Sequence, residues 1–327
     1  MTLWTEYPDG IIQVRLPLGQ PLPWINSYLI QGKEGLTVID PGPRSEAAIA
    51  IWHQVCERFG YQYTDIGQIV LTHHHPDHYG LAGWLQQHSG APVRMTRAGN
   101  EQADGLWGPG RPLAARIAAL FGEHGLPQSR LHEVLDHFAA GTAGVEPRPT
   151  VTELSLGERL RIGDRSFEAI DTPGHAAGHV SLYGEESGVL LCGDLVLPES
   201  LPNVSYVPGY DVDPIASFTA SLEQVESLPV RLALPGHQNP FSAFSERLVA
   251  LRKLHSERQE KIEQSLGTEA VDAYELSQRV FGQAVSVLQL RFYLGETIAR
   301  LHHAVQRGKV KSIRSEGGTG YVRIYPN

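Results

Sequence analysis

Four histidines and an aspartate fall within six consecutive residues, His73 to His78, directly after a short β-branched run, QIVLT. So many imidazoles at one strand end are costly to fold around unless something binds them, and imidazole and carboxylate together are ligands for divalent metals. In a short loop, His73 and His75 can turn toward one side and bind one ion. Asp77 and His78 lie far enough along to face a neighbouring one. His74, inside the motif, is expected to point away from the metals.

Three further segments end predicted strands in the same way. They are Thr172-Pro173-Gly174-His175 after SFEAID, Gly193-Asp194 after VLLC, and Pro235-Gly236-His237 after VRLAL. Loops at the ends of strands in a rigid sheet are where ligands distant in sequence can converge. Asp194 is the candidate bridge, because a carboxylate can bind two cations and partly neutralise both. Two ions roughly 3.5–4 Å apart can share a water, lower its pKa and polarise the bond under attack, so that no protein nucleophile is required. Cys192, beside Asp194, reads as a small buried strand residue.

The rest of the chain is compatible with a large enzyme core. It has 327 residues, 41% hydrophobic and 19% charged, with a mean hydropathy of −0.21. That size favours one large domain plus a smaller one. Two cysteines, Cys56 and Cys192, build no disulfide framework. The N-terminal residues lack the basic and apolar regions of a signal peptide, and no apolar run approaches bilayer length, so a cytoplasmic enzyme without membrane association is expected. The formal net charge of −9 argues against a generally basic nucleic-acid-binding surface. A small-molecule substrate is the primary expectation and nucleic acid a secondary one.

Strand patterns recur at 11–18, 26–32 and 36–42, followed by an amphipathic helix from Arg44 to Phe59, the QIVLTH strand, a helix closed by Gly90, and the strand PVRMTR. Residues 99–150 break the rhythm. The stretch GLWGPGRP is turn-rich, and helices around Pro112–His124 and Pro127–Ala139 predict an inserted helical hairpin. Trp107, Ile117, Phe121, Leu131 and Phe138 could form either an apolar wall of a substrate pocket or the insertion's own core. Strands then resume, with a helix over DPIASFTASLEQVESL and a long charged helix at 243–264. The spacing divides the chain into a catalytic domain, 1–250, and a C-terminal domain, 251–327, whose helices and terminal β-hairpin predict a winged-helix-like module. Such a module is expected to pack on the catalytic domain or on a second subunit, which would allow a homodimer.

The ordered motifs resemble those of the metallo-β-lactamase superfamily over most of the first 250 residues. HxHxDH stands at His73 to His78, with later ligand positions at His175, Asp194 and His237, and the early strand-end aspartate is Asp40 in TVIDPG. The resemblance implies an α/β fold, an αββα sandwich with its site at one sheet edge. It implies that His73, His75 and His175 hold the first metal and that Asp77, His78 and His237 hold the second, with Asp194 shared. Asp40 and His179 would support these ligands from behind. The two ions would be zinc, with iron or manganese as alternatives.

Substrate is less constrained, since many chemistries share this fold. The expected reaction is attack by a bridging hydroxide on an ester, thioester or lactone carbonyl, with Asp77 or a metal-bound water handling the leaving-group proton. Lactonases of this type place a tyrosine three residues after the bridging aspartate, where this chain has Leu197; Tyr206 and Tyr210 are the nearby substitutes. The basic C-terminal pattern of dedicated glutathione-thioester hydrolases is missing. The tail also looks like the extension of a subgroup with endoribonuclease-like members, and Lys309, Lys311, Arg314 and Arg323 place positive charge on the hairpin. A phosphodiesterase acting on single-stranded RNA is therefore the rival, and a metal-sensing nucleic-acid-binding protein the third alternative.

Overall fold

The computed structural model describes residues 2–19 and 22–325. In chain order it begins with β1 (Trp4–Tyr7), β2 (Ile11–Pro17), β3 (Trp24–Gly32) and β4 (Gly35–Ile39), followed by α1 (Glu46–Phe59) and β5 (Ile66–Val70). Next come α2 (Pro76–Tyr79), α3 (Ala82–Ser89), β6 (Val93–Met95), α4 (Arg97–Trp107), α5 (Pro112–Glu123) and α6 (Gln128–Ala143). The second half holds β7 (Val151–Glu153), β8 (Arg159–Ile162), β9 (Arg165–Asp171), β10 (Val180–Gly184) and β11 (Val189–Gly193). It continues through α7 (Pro214–Glu226), β12 (Leu232–Pro235) and α8 (Phe244–Gln264). The chain closes with β13 (Val271–Asp272), α9 (Ala273–Phe281), α10 (Val287–Gln306), β14 (Val310–Ser315) and β15 (Gly318–Arg323).

The first seven strands form one mixed sheet in sequential order, and β12-β11-β10-β9-β8 form a second. Side-chain alternation along the strands decides how they stack. Ile11, Tyr28, Ile30 and Ile39 leave the first sheet to meet Phe167, Ala169, Leu182 and Leu191 of the second, making a core between the sheets. Their neighbours Ile12, Val14, Leu29 and Val38 point to the opposite face and pack on helices, with Trp52 and Val55 of α1 in the same cluster. The second sheet repeats the pattern, with Leu190, Cys192 and Ala233 packed under Phe218, Leu222 and Leu248 of α7 and α8. The inner strands β4, β10 and β11 are buried on both faces, which explains their nearly continuous apolar runs, whereas the edge strand β8 alternates between exposed and buried positions. The result is the αββα sandwich.

Local signals fix the element ends. The Ser45 hydroxyl accepts from the Ala48 amide to start α1, and Gly60, at φ 71°, ends it in the left-handed conformation. The insertion departs from the helical hairpin expected of it, because α4 precedes α5 and α6 and makes three helices. Its sequence, RAGNEQADGLW, has the glycines of a turn region. Those glycines serve packing, since a Cβ at Gly105 would stand 2.8 Å from Leu113 Cβ on α5. Thr96 caps α4 by accepting from the Gly99 amide. The strands β1, β7 and β13 also lie outside the sequence expectation; they are short pairings, of four, three and two residues, at the margins of their sheets.

Trp107, Ile117, Phe121 and Phe138 are buried in a core cluster that also contains Leu276, Leu294, Leu301 and Tyr321 from the end of the chain, with Leu131 packed against it. They are the insertion's core, shared with the C-terminal helices, and not an open pocket wall. The tail comprises α9 and α10 and a three-stranded sheet ordered β13-β15-β14. Its helix α10 packs against α6, α7 and α8. Among the described residues no helix is long and apolar enough to cross a membrane.

Candidate metal centre

Sheet geometry gathers the polar residues. Strands β4 and β5 run parallel, as do β11 and β12. Their C-terminal ends deliver Asp40, the 73–78 loop, Asp194 and His237 to one edge. The two sheets are stitched together there. The Asn26 amide donates to the Gly236 carbonyl and the Val180 amide to that of Thr72, while the Gly236 amide donates to Gly193 within the second sheet. The side-chain amide of buried Asn26 donates to the Pro235 and Gln238 carbonyls, 2.9 and 2.7 Å away.

Two clusters result. In the first, His75 Nδ1 lies 2.9 Å from His73 Nε2 and 3.0 Å from His175 Nε2. In the second, His237 Nε2 lies 3.2 Å from Asp77 Oδ2, and His78 Nε2 lies 3.8 Å from the same oxygen. Asp194 stands between them, with Oδ2 3.5 Å from His175 Nε2 and 3.4 Å from His237 Nε2. His73, His78 and Asp194 also make a convergent set of their own. All seven predicted ligand positions therefore meet in one place. His74 is buried, with its ring outside all three convergent groups.

Hydrogen bonds behind the rings decide where each proton sits. Asp40 Oδ1 accepts from the Thr72 amide at 2.8 Å, and Oδ2 from the Thr72 hydroxyl at 2.6 Å. Because that hydroxyl spends its hydrogen on Asp40, it can only accept from His73 Nδ1, 2.9 Å away. His73 Nε2 is thus left as a lone pair facing the cluster. His78 is oriented in the same way, since its Nδ1 donates to Asp40 Oδ2 at 2.8 Å and turns Nε2 toward the cluster. So are His175, whose Nδ1 donates to the Asn203 carbonyl at 2.8 Å, and His237, whose Nδ1 donates to the Trp24 carbonyl at 3.2 Å. Four rings are held with one nitrogen turned inward, as metal-binding histidines require.

His179 is different. Its Nε2 accepts from the Asp194 amide at 3.1 Å, so the ring proton sits on Nδ1, 2.8 Å from the Thr172 hydroxyl. It holds the Asp194 backbone, and burial pushes its pKa down to about 3. Two glycines make room for this packing. A Cβ at Gly193 (φ 48°) would lie 2.5 Å from His179 Nε2, and one at Gly236 would lie 2.3 Å from Asp194 Oδ1.

The electrostatics of the two clusters diverge. Burial, reinforced by the neighbouring rings, holds His73 and His75 well below the usual histidine range. Burial would lower His237 as well, but Asp194 and Asp77 outweigh it and push that ring up to about 10. His78 is likewise raised, by Asp194, Asp77 and Asp40 acting against burial. Despite their own burial, Asp77 and Asp194 are lowered by the same histidines.

A cation fits both clusters. Nitrogens bound about 2.0–2.1 Å from one tetrahedral ion stand roughly 3.3 Å apart, close to the spacing around His75 Nδ1. In the first cluster at most one proton, on His75, serves three ring nitrogens. In the second, His78 Nε2 and Asp194 Oδ1 are buried without a hydrogen-bond partner and stand 3.6 Å apart. Buried polar atoms left open in this way need a partner.

Thr72, Asn203 and Trp24 carry work that the sequence motifs did not reveal. Thr72 lies within the histidine segment, where its hydroxyl could have been noticed. Asn203 and Trp24 contribute backbone carbonyls, which no residue type announces. Leu197 is buried, Tyr206 packs edge-on against His302 with ring centroids 4.4 Å apart, and Cys192 is buried with its thiol pushed up by that burial.

Facing sheets covered by helices, with histidines and aspartates clustered at strand ends, define a protein of the metallo-β-lactamase fold. The chain belongs to the metallo-β-lactamase superfamily, whose family model matches residues 25–237. A second model, the metallo-β-lactamase-like C-terminal domain, matches residues 260–325. The chain is similar to the probable metallo-hydrolase YqjP of Bacillus subtilis, at 26% identity across 96% of this chain and 98% of that one. Its fold matches the metallo-β-lactamase family protein TTHA1429 of Thermus thermophilus, with a TM-score of 0.85, 30% identity, and coverage of 96% and 99% of the two chains. Over shorter stretches it is similar to a hydroxyacylglutathione hydrolase of Marinomonas (29% identity; 53% of this chain, 49% of the relative). A further match is to the acyl-coenzyme A thioesterase MBLAC2 of Gallus gallus (34% identity; 30% and 34%). By these relationships the protein is a metal-dependent hydrolase.

Proposed function

We propose that the protein is a two-metal hydrolase that cleaves an ester, thioester or lactone of a small molecule. The observation that carries this is the position of Asp194 Oδ2, 3.5 Å from a nitrogen of one cluster and 3.4 Å from a nitrogen of the other. In this assignment His73, His75 and His175 would hold one ion, Asp77, His78 and His237 would hold the other, and Asp194 would serve both. When bound, two divalent ions, zinc in the first instance, supply an activated water and polarise the scissile carbonyl.

The chain's own residues do the rest. Asp40, through Thr72 and directly, keeps His73 and His78 in the tautomers that face inward. His179 fixes the backbone that presents Asp194. Asp77 is the more open of the two carboxylates, with 27% of its side chain exposed against 8% for Asp194. Its lowered pKa leaves it ionised at neutral pH, so it accepts a proton before passing one to the leaving group. Similarity to proteins named for thioester substrates supports carbonyl chemistry, as does a tail packed against the catalytic layers through α10.

The test is a hydrolysis panel of thioesters, lactones and bis-p-nitrophenyl phosphate on protein of defined metal content. Two equivalents of metal and preference for a carbonyl substrate are expected. Preference for the phosphodiester would overturn the substrate class, and the exposed Lys309, Lys311 and Arg314 would then become the basic surface to examine.

A further inference from the structure

Arg291 lies in the second turn of α10, half-buried. Its guanidinium carbon stands 3.8 Å from the centre of the Phe138 ring on α6. Among the described residues it makes no ion pair or side-chain hydrogen bond. Burial pulls its pKa down to about 10, with no carboxylate acting in the other direction. Charges drawn out of water are ordinarily paired, because desolvation is otherwise uncompensated. Two other arginines of this region conform, since Arg258 and Arg300 both pair with Glu296, at 3.3 and 2.9 Å.

A second open polar group lies close by. His74 Nδ1 is buried without a hydrogen-bond partner, and its ring is within electrostatic reach of Arg291. The ring centroid of His74 is 4.8 Å from that of His75, one of the candidate metal ligands. Helix α10 borders the centre on its other side too. The Asn203 side chain donates to the Phe292 carbonyl at 3.4 Å, while the Asn203 backbone carbonyl receives the His175 proton. Helical spacing puts Leu288, Arg291 and Phe292 on one face. Leu288 and Phe292 are exposed, as is Leu135, one turn from Phe138 on α6.

We propose that Arg291, at the exposed end of this buried polar neighbourhood, binds a carboxylate carried on an apolar arm of the substrate. The inference rests on the hydrolase assignment above and narrows its substrate class. A single guanidinium suits a singly charged, planar carboxylate, which it can meet with two parallel hydrogen bonds. A phosphate dianion would call for further cations, and no lysine or second arginine shares this face of α10. The apolar rim of Leu288, Phe292 and Leu135 accommodates the arm that joins the carboxylate to the scissile carbonyl.

The test compares mono-p-nitrophenyl glutarate with p-nitrophenyl valerate, matched in acyl length and differing in the terminal carboxylate, on metal-loaded protein. The wild-type chain is expected to favour the glutarate ester. Arg291→Gln should lower kcat/KM for that ester about tenfold more than for valerate, through KM, with Arg291→Lys between the two. Equal losses on both esters would mean that Arg291 only ties α10 to α6, and would overturn the proposal. Calorimetric binding of glutarate itself is the independent arm. It should weaken about tenfold in Arg291→Gln, and unchanged binding would equally overturn the proposal. If neither ester is cleaved, the calorimetry alone decides the role of Arg291, and the carbonyl-hydrolase assignment falls to the thioester and lactone panel described above.

Discussion

The two halves of the candidate metal centre are built from nearly the same residue types, yet they hold protons differently. His73, His75 and His175 sit in a pocket where burial and mutual repulsion keep them neutral. His78 and His237 face Asp77 and Asp194, and in the metal-free protein those carboxylates draw protons onto both rings. A cation entering the first half meets the free lone pairs of His73 and His175 and at most one ring proton, on His75. A cation entering the second must displace protons already there. The difference comes from where the aspartates lie, since imidazole is common to both.

Replacing the shared carboxylate tests the comparison most severely. Asp194→Ala should empty both halves and reduce hydrolysis to background, whereas His237→Ala should release one equivalent and leave the three-histidine half filled. Metal analysis of the two purified variants checks this, and equal losses would mean that the halves are not separable.

Acidity should divide them next. The raised pKa of His237, about 10, means that metal competes with a proton there at every pH below that value. For each proton displaced, affinity should therefore fall about tenfold per pH unit, or ~10²-fold between pH 8 and pH 6. The three-histidine half, whose ring pKa values are lowered from the usual histidine range, should hold its ion across that window. Metal stoichiometry after dialysis at the two pH values reads this out directly. Simultaneous loss of both ions would contradict the proton assignment.

Asp40 offers a subtler probe, because its Oδ2 receives the hydroxyl hydrogen that orients His73 and the ring hydrogen of His78. Asp40→Asn should weaken both halves, by about 10–100-fold in metal affinity or turnover, in competition titrations against a chelator. A loss confined to one half would show that the Thr72 relay does not act as described.

The smallest effect is expected at Asn203. Its side chain holds α10 through the Phe292 carbonyl and Glu296 Oε2, at the long end of hydrogen-bond distances. Asn203→Ala should cost about 1 kcal/mol and weaken only the three-histidine half, by several-fold. An unchanged titration curve would assign that support to the Asn203 backbone alone.

These residues also mark what a sequence can disclose. Histidines and aspartates at the ends of strand-like runs were legible because few other residues bind metals and because the apolar runs between them were continuous. The order of strands and helices was legible from their apolar patterns, whereas the αββα sandwich followed from the resemblance that the ordered ligand motifs carry. Helix α4 was not, because Gly99 and Gly105 look like turn residues until their close contacts with Met95 and Leu113 are seen. Trp107, Ile117, Phe121 and Phe138 had two open fates, and only the packing partners from α9, α10 and β15 decided between them. The carbonyls of Asn203 and Trp24 were invisible, since every residue has one.

The hydrogen bond from His175 to Asn203 also bears on how far the protein can be trimmed. A fragment ending with α8 would retain every candidate ligand, from His73 to His237. It would nevertheless lose Phe292 and Glu296, and with them the tether that steadies the loop behind His175. The minimal catalytic unit is thus longer than the span of its ligands, and a truncation designed from the motif positions alone would yield a protein with the right residues and a loosened centre.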